Sequence, residues 1–118
     1  MAAYIISRVD VKDPERMTDY AVRSIALAKT YGATYPVRTN RVEALEGTYD
    51  GRRLIIVQFP ELAQARAYWD SPEYQELRKL RHAAADSELW LVPEDWRVAS
   101  AIRALKPVRQ LQVGLEGD

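Results

Sequence analysis

The chain has 118 residues, with 17 basic and 17 acidic side chains, one histidine and no cysteine. This length fits a single domain. A net charge of zero lacks the basic excess that is typical of nucleic-acid-binding proteins, so no nucleic-acid partner is expected. The absence of cysteine excludes disulfides, thiolate nucleophiles and iron–sulfur clusters, and one histidine excludes multi-histidine metal sites. No membrane partner is predicted, because no apolar run approaches the roughly 18 residues of a spanning helix.

The first half of the chain predicts a strand followed by a helix. Apolar side chains alternate over Ala3–Val11 and fall on both faces of the predicted strand. The triplet Asp13-Pro14-Glu15 then predicts a helix start, because Asp can cap, Pro fits the first helical position and Glu suits the positive helix end. Apolar residues recur at spacings of three and four as far as Tyr31, and Gly32 is placed to end the helix. These first residues show no signal-peptide pattern, so the expected location is the cytoplasm.

A hairpin is predicted in the middle of the chain. Thr34–Gly47 is β-rich with a break at residues 38–40, and alternation resumes over Val42–Leu45. Asp50-Gly51 is a strong turn signal. The apolar run Leu54–Phe59 follows and is expected to be a central strand.

A second helical region and a last strand complete the pattern. The helix predicted over Glu61–Trp69 is interrupted by Asp70-Ser71-Pro72, where Ser71 can cap a second helical piece and Pro72 fits its first turn. A short strand is predicted over Glu88–Val92, and Pro93 ends it.

The order β-α-β-β-α-β predicts a ferredoxin-like α+β subunit with a four-stranded antiparallel sheet. The first strand is apolar on both faces, so the face without helices also requires a cover. A second copy of the chain provides that cover, and neutrality does not oppose the association. We therefore expect a homodimer through the sheet face. Residues 1–93 would form this domain, and residues 94–118 a C-terminal extension with a helix and an extended tail.

Short segments spread over residues 2–92 share the pattern of one family. They are Ala3-Tyr4-Ile5-Ile6, Asp13-Pro14-Glu15, Glu46-Gly47, Phe59-Pro60, and Trp69-Asp70-Ser71-Pro72-Glu73-Tyr74 followed by Arg81 and Ala83-Ala84-Ala85. Together they resemble the domain-of-unknown-function family thirteen-thirty, in the dimeric α+β barrel superfamily. The resemblance implies that two sheets meet in a barrel, with a pocket between the helices and the sheet of each subunit. The superfamily includes cofactor-free monooxygenases, isomerases, haem-dependent members and regulatory domains, so the resemblance implies an architecture more than a reaction.

Arg81 is the first catalytic candidate, because it falls in the apolar stripe of the second helical region. Burying a guanidinium costs several kcal/mol unless it is paired. Arg81 therefore extends to solvent, pairs with a carboxylate such as Glu43, or binds an anionic ligand. Glu43 is itself a catalytic candidate, and with Arg38 it would form either a polar cluster at the pocket mouth or a solvated sheet edge.

His82 is the only side chain whose ordinary pKa suits proton transfer near neutrality. It is a candidate general base, although Arg78 and Arg81 disfavour its charged form and an exposed helix position explains it equally. Haem binding through His82 is a further alternative. The sequence otherwise predicts no cofactor and no metal.

Tyrosines outnumber phenylalanine seven to one in this chain. Buried hydroxyls need partners, so a pocket for a polar aromatic ligand explains this excess, as do the amphipathic edges of two helices. Tyr35 is added to the catalytic candidates. The substrate-binding candidates are Tyr4, Tyr20, Arg38, Tyr68, Trp69 and Tyr74.

The leading hypothesis is a homodimeric small-molecule enzyme without a cofactor. Its substrate would be aromatic, polyketide-like or enolisable, and would undergo oxidation, isomerisation or cyclisation through an enolate that Arg81 and tyrosine hydroxyls stabilise. The alternative is a non-catalytic ligand-binding or accessory dimer without a general base.

Overall fold

The structure is a computed structural model that describes residues 1–94. Its four strands form one antiparallel sheet, with three helices between strands in the chain, which confirms the ferredoxin-like α+β fold. The predicted helix around residues 98–105 and the tail after it lie outside the described residues. The elements are β1 (Ala3–Val11), α1 (Pro14–Lys29), β2 (Thr34–Thr39), β3 (Arg53–Phe59), α2 (Leu62–Asp70), α3 (Pro72–Ala84) and β4 (Ala85–Pro93). The strands lie in the sheet in the order β2-β3-β1-β4.

Local capping signals fix the starts of the two longest helices, as the sequence predicted. The Asp13 carboxylate accepts a hydrogen bond from the backbone N–H of Arg16 at 3.1 Å. The Ser71 hydroxyl accepts one from the backbone N–H of Tyr74, also at 3.1 Å. Each cap satisfies an N–H group that has no partner inside the helix. The cap at Ser71 thereby orients the first turn of α3, which carries Tyr74 toward the sheet.

The sheet has one covered face and one open face. On β1, Ile5, Ser7 and Val9 are buried on the side of the helices. Their neighbours along the strand point the other way, where Ile6 lies between Ile56 on β3 and Trp90 on β4. The exposed fraction of Trp90 is 47%. The open face is thus apolar and uncovered within the described part of the chain.

The prediction that the second half of Thr34–Gly47 continues as a strand is wrong. β2 ends at Thr39, and residues 40–52 form an exposed loop rather than a strand. The reason is a lack of partners: Thr39 pairs with Leu54, one residue after the start of β3, so a longer β2 would require partners in residues 48–52, which form no strand. The alternation over Val42–Leu45 therefore has no ladder to join, and Leu45 remains 90% exposed.

The core between helices and sheet is aromatic. The Tyr68 ring lies 4.7 Å from the Tyr74 ring and 5.4 Å from the Phe59 ring, measured between centres. Trp69 packs 5.0 Å from Tyr74 on the other side. Such tilted ring contacts add to the free energy of burial. Tyr74 consequently stands at the centre of a rigid aromatic cluster, with its hydroxyl turned toward α1 and Arg81.

Candidate functional site

A cavity lies between α1, α3 and the covered face of the sheet. Side chains of β1 and β3 line the sheet side, and Met17, Tyr20 and Ser24 of α1 line the helix side. Its volume is about 50 Å³, which is room for roughly three to five water molecules. The cavity is therefore suited to a small ligand in this conformation.

Arg81 lies at the inner end of this cavity and is only 4% exposed. Its Nη1 donates a hydrogen bond to the Tyr74 hydroxyl at 2.9 Å, and its Nε donates one to Ser87 Oγ at 3.1 Å. None of the ion pairs formed among residues 1–94 involves Arg81. The guanidinium is thus buried against neutral groups. Such an arrangement leaves its positive charge uncompensated.

Aromatic rings supply part of the stabilisation that a carboxylate would otherwise give to Arg81. The guanidinium carbon lies 5.8 Å from the centre of the Tyr20 ring and 5.9 Å from that of Trp69. Cations over the faces of such rings are attracted by about 0.5–2 kcal/mol. That is less than the several kcal/mol by which burial penalises an ion. An anion bound in the cavity would supply the stabilisation of the buried charge that the aromatic rings do not.

The Tyr20 and Tyr74 hydroxyls share one hydrogen bond of 2.8 Å. Because Arg81 can only donate, the Tyr74 oxygen accepts from it. The bond between the two hydroxyls uses one of their two hydrogens, whichever residue donates. One O–H therefore remains, and both side chains line the cavity. The cluster of Arg81, Tyr74 and Tyr20 (hereafter the donor cluster) can donate a hydrogen bond to a ligand oxygen.

Three tyrosines of the cavity, Tyr35, Tyr68 and Tyr74, remain protonated at neutral pH. Burial raises the pKa of Tyr68 and Tyr74 above that of an ordinary phenol, and the positive charge of Arg81 only partly offsets this. Burial likewise raises the pKa of Tyr35. These side chains are consequently hydrogen-bond donors rather than general bases.

His82 follows Arg81 in the sequence but its side chain is exposed. Its Nε2 lies 3.5 Å from Arg81 Nη2, which is long for a hydrogen bond. Desolvation, followed by the charges of Arg81 and Arg78, lowers the pKa of His82. The imidazole is therefore neutral near pH 7, as the two flanking arginines predicted. It does not line the cavity.

The structure brings most, but not all, of the predicted site residues together. Tyr4 lies opposite Gln58 and Val92 in the sheet and thus on its open face. Glu43 lies in the exposed loop and does not pair with Arg81. Trp69 contacts Tyr74 and Arg81 from behind rather than lining the cavity. The predicted residues that line the cavity are Tyr20, Tyr35, Arg38, Tyr68, Tyr74 and Arg81.

Several polar contributors were not predicted, among them Ser7 and Ser24 of the cavity wall. Arg53 lines the cavity from the start of β3, and Ser87 holds Nε of Arg81 from β4. Arg53 could have been identified from the alternation of side chains along β3, since it lies on the same face as Ile55 and Val57. Ser87 carried no comparable signal, because the predicted strand began one residue after it.

Neither a metal-binding cluster nor a membrane-spanning helix occurs in the part of the chain that the structure describes. Among residues 1–94, no group of three or more His, Asp or Glu side chains is placed to hold a metal ion. No helix in the same range has the length and apolar character required to cross a membrane.

Comparison with protein families gives one match. The family described as "Domain of unknown function (DUF1330)" matches residues 2–95. No protein with a curated description is similar enough to match the chain.

Solved structures share the fold at low sequence identity. A protein of unknown function from Rhodopseudomonas palustris is 20% identical over 80% of this chain and 82% of its own, with a TM-score of 0.65. A dimeric ferredoxin-like protein of unknown function from Jannaschia sp. CCS1 is 12% identical over 80% and 100%, with a TM-score of 0.63. SnoaB, a cofactor-independent oxygenase from Streptomyces nogalater, is 16% identical over 80% and 93%, with a TM-score of 0.56. These likenesses establish a common fold.

Proposed function

This chain belongs to the DUF1330 family, and we propose that it is a homodimeric enzyme that acts without a cofactor on a small, enolisable substrate. The substrate would bind in the cavity between the helices and the sheet. Its carbonyl or enolate oxygen would accept hydrogen bonds from the donor cluster. The reaction would be an oxidation or isomerisation that proceeds through the enolate.

The observation that carries this proposal is the buried, carboxylate-free guanidinium of Arg81. A positive charge that is fixed in a water-poor cavity stabilises negative charge far more than the same group does in water. Nη1 and Nε are already held by Tyr74 and Ser87, so the group is oriented before a ligand arrives. Such preorganisation suits the oxyanion of an enolate.

The cavity residues favour substrates that ionise easily. No Asp or Glu lines the cavity, and the hydroxyls of Tyr68 and Tyr74 remain protonated. A substrate proton would therefore leave to solvent through the mouth, once the donor cluster has lowered the pKa of the substrate. The resulting carbanion-like carbon could react with oxygen or be reprotonated at another position. SnoaB, described as a cofactor-independent oxygenase, is an example of this fold in such a role.

The volume of the cavity narrows the substrate class. About 50 Å³ of space is well below the roughly 300–1,000 Å³ of typical sites for drug-sized ligands. A polyketide-like substrate would require α1 to move away from the sheet. A small 1,3-dicarbonyl compound requires much less movement, so this class is the first to test.

The open face of the sheet supports the homodimer. Ile6, Ile56 and Trp90 form an apolar row across three strands, within an uncovered surface. A second copy would cover this surface by twofold symmetry, sheet against sheet. The Jannaschia protein, described as dimeric, has the same fold.

A non-catalytic binding dimer is the second candidate. The observation in its favour is that neither a carboxylate nor the imidazole of His82 lines the cavity. In that case the donor cluster would hold an anion without turnover.

The test is the ionisation of a bound probe, pentane-2,4-dione. We expect the wild-type protein to bind it and to lower its apparent pKa, observed as ultraviolet absorbance of the enolate at neutral pH. Arg81→Met should abolish this absorbance, and Arg81→Lys should restore part of it. Consumption of dissolved oxygen by the same mixture distinguishes an oxygenase from a binding protein.

Arg23→Met is the matched control, because Arg23 is exposed and pairs with Asp19 on the outer surface of α1. It should leave the enolate absorbance unchanged. Enolate absorbance that persists in a folded Arg81→Met variant would contradict the role of Arg81.

A further inference from the structure

We propose that the natural ligand of this cavity carries two acidic groups, as in a short dicarboxylate. One group would bind the donor cluster, and the other would bind Arg38 and Arg53 at the mouth. The binding of the first group at the donor cluster rests on the proposed function. The second group, at the mouth, adds a substrate class to that function.

The cavity has a strongly one-sided charge in a neutral chain. The whole sequence has 17 basic and 17 acidic side chains. The cavity wall, in contrast, includes three arginines, namely Arg38, Arg53 and Arg81, and no Asp or Glu. A cavity that is lined by one sign of charge concentrates ligands of the opposite sign. Three cations exceed what a single carboxylate neutralises.

Two of these arginines mark the opening of the cavity. Arg38 and Arg53 also line the clefts that adjoin the cavity on its outer side. Arg38 lies opposite Ile55 in the β2–β3 ladder, and Arg53 precedes Ile55 by two residues on the same face. Arg38 is exposed and Arg53 is half-buried, whereas Arg81 is buried. The cations are thus divided between the inner end and the mouth.

The neighbouring acidic side chains do not neutralise the positive charges of Arg38 and Arg53 at the mouth. Asp10 and Asp50 line a cleft that includes Arg53. Asp10 pairs with Lys12 at 2.9 Å, and Asp50 lies 3.5 Å from Arg8 and 3.6 Å from Arg52. Among residues 1–94, neither Arg38 nor Arg53 takes part in an ion pair.

The strand register limits the length of the ligand. Val9 pairs with Ser87 on one side and with Arg53 on the other. Two strand spacings separate Ser87 from Arg53, which is about 10 Å between their backbones. Since Ser87 holds Nε of Arg81, the two cationic ends are within reach of one short chain. A dicarboxylate of about four or five carbons matches this span.

The experiment measures the binding of four probes by isothermal titration calorimetry. The probes are succinate and glutarate, with butyrate and valerate as monocarboxylates of equal chain length. We expect the wild-type protein to bind each dicarboxylate about tenfold or more tightly than its monocarboxylate, because a charge-assisted hydrogen bond at the mouth contributes at least that factor. Equal affinity within each pair, or no binding at millimolar concentration, would overturn the proposal.

Two double variants identify the binding groups. In Arg38→Met/Arg53→Met the affinity for a dicarboxylate should fall to about that for its monocarboxylate in the same variant, because the preference for two acidic groups is lost while the weaker attraction of the cavity for any anion falls in both. Arg16→Met/Arg23→Met removes two exposed charges from α1 and should change neither. Loss of the preference in the α1 variant would assign it to net charge and contradict the proposed site.

The two proposals fail in different ways. A dicarboxylate preference without an enolate signal from pentane-2,4-dione would retain the ligand class and reject the enzyme. An enolate signal without the preference would retain the enzyme and reject the second acidic group.

Discussion

Two arginines on opposite faces of the sheet have contrasting surroundings. Arg8 lies on the open face, where it forms ion pairs with Glu88 and Asp50 and its guanidinium is 6.0 Å from the centre of the Trp90 ring. Arg81 lies on the covered face, contacts Trp69 in a similar way and has only neutral hydrogen-bond partners. The residue type and the aromatic neighbour are the same. The two arginines differ in that carboxylates pair with Arg8, whereas no carboxylate of the described residues pairs with Arg81.

This difference separates a structural from a ligand-directed use of the same side chain. The charge of Arg8 is neutralised, so the open face can be covered by another apolar sheet at limited electrostatic cost. The charge of Arg81 persists inside the cavity, where only a ligand can neutralise it. Four predictions test this contrast.

The largest effect is expected on the open face. Ile56→Asp places a carboxylate between Val37 and Ile6, and twofold symmetry places two of them in the proposed interface. Each buried, unpaired charge costs several kcal/mol, so the variant should be monomeric. Light scattering should then give a mass near 13.5 kDa, against twice that for the wild-type protein.

Val22→Asp is the control for this experiment, because Val22 is 65% exposed on α1. It should retain the dimer mass. A wild-type protein that scatters as a monomer at micromolar concentration would contradict the interface.

The next effect is expected in the donor cluster. Tyr74 is 1% exposed and contacts Tyr68, Trp69 and Tyr20. Tyr74→Ala should lower the free energy of unfolding by about 3–5 kcal/mol, since it leaves a cavity at the centre of the core. Tyr74→Phe should cost about 1–3 kcal/mol, because it removes only the hydroxyl that Arg81 and Tyr20 share. Urea denaturation measures both, and equal losses would mean that the hydroxyl contributes all of the effect.

Local signals made the helices and their starts predictable. Asp13 and Ser71 each precede a proline and a glutamate, and this arrangement specifies a helix start through groups only a few residues apart. The same short range allowed Arg81 to be placed beside Tyr74 on one helix face, since they are seven residues apart.

Long-range pairing was the part that could not be predicted. The alternation over Val42–Leu45 is as regular as that of a true strand, but β3 begins at Arg53 and offers it no partner. The same limitation hid the bond between Arg81 and Ser87, which depends on where β4 begins. Glu43 was one possible partner of Arg81 as long as the strand register was unknown, and it lies instead in the exposed loop.

A third prediction compares the two arginines directly. Arg8→Met leaves Glu88 without its cation, whereas Asp50 keeps Arg52, and should lower the free energy of unfolding only slightly, as for other exposed pairs. Arg81→Met leaves no carboxylate behind and should change it by less than about 1 kcal/mol. Binding should show the reverse order: Arg81→Met loses pentane-2,4-dione and the carboxylates, whereas Arg8→Met keeps them. A loss of several kcal/mol in Arg81→Met would make that residue structural.

The smallest effect concerns His82, at the edge of the donor cluster. Its pKa in the folded protein is lower than the ordinary value of 6.5, through desolvation and the charges of Arg81 and Arg78. The unfolded chain therefore binds a proton more readily, so this group contributes stability that is complete above pH 6.5 and is lost as the pH falls through the folded pKa. His82→Gln should flatten the stability profile below pH 6.5 in urea denaturation. In an Arg81→Met background the effect of the histidine should shrink, because one of the two repelling cations is gone. An unchanged slope in that background would mean that desolvation and Arg78 set the shift, and that the charge of Arg81 does not reach the exposed imidazole.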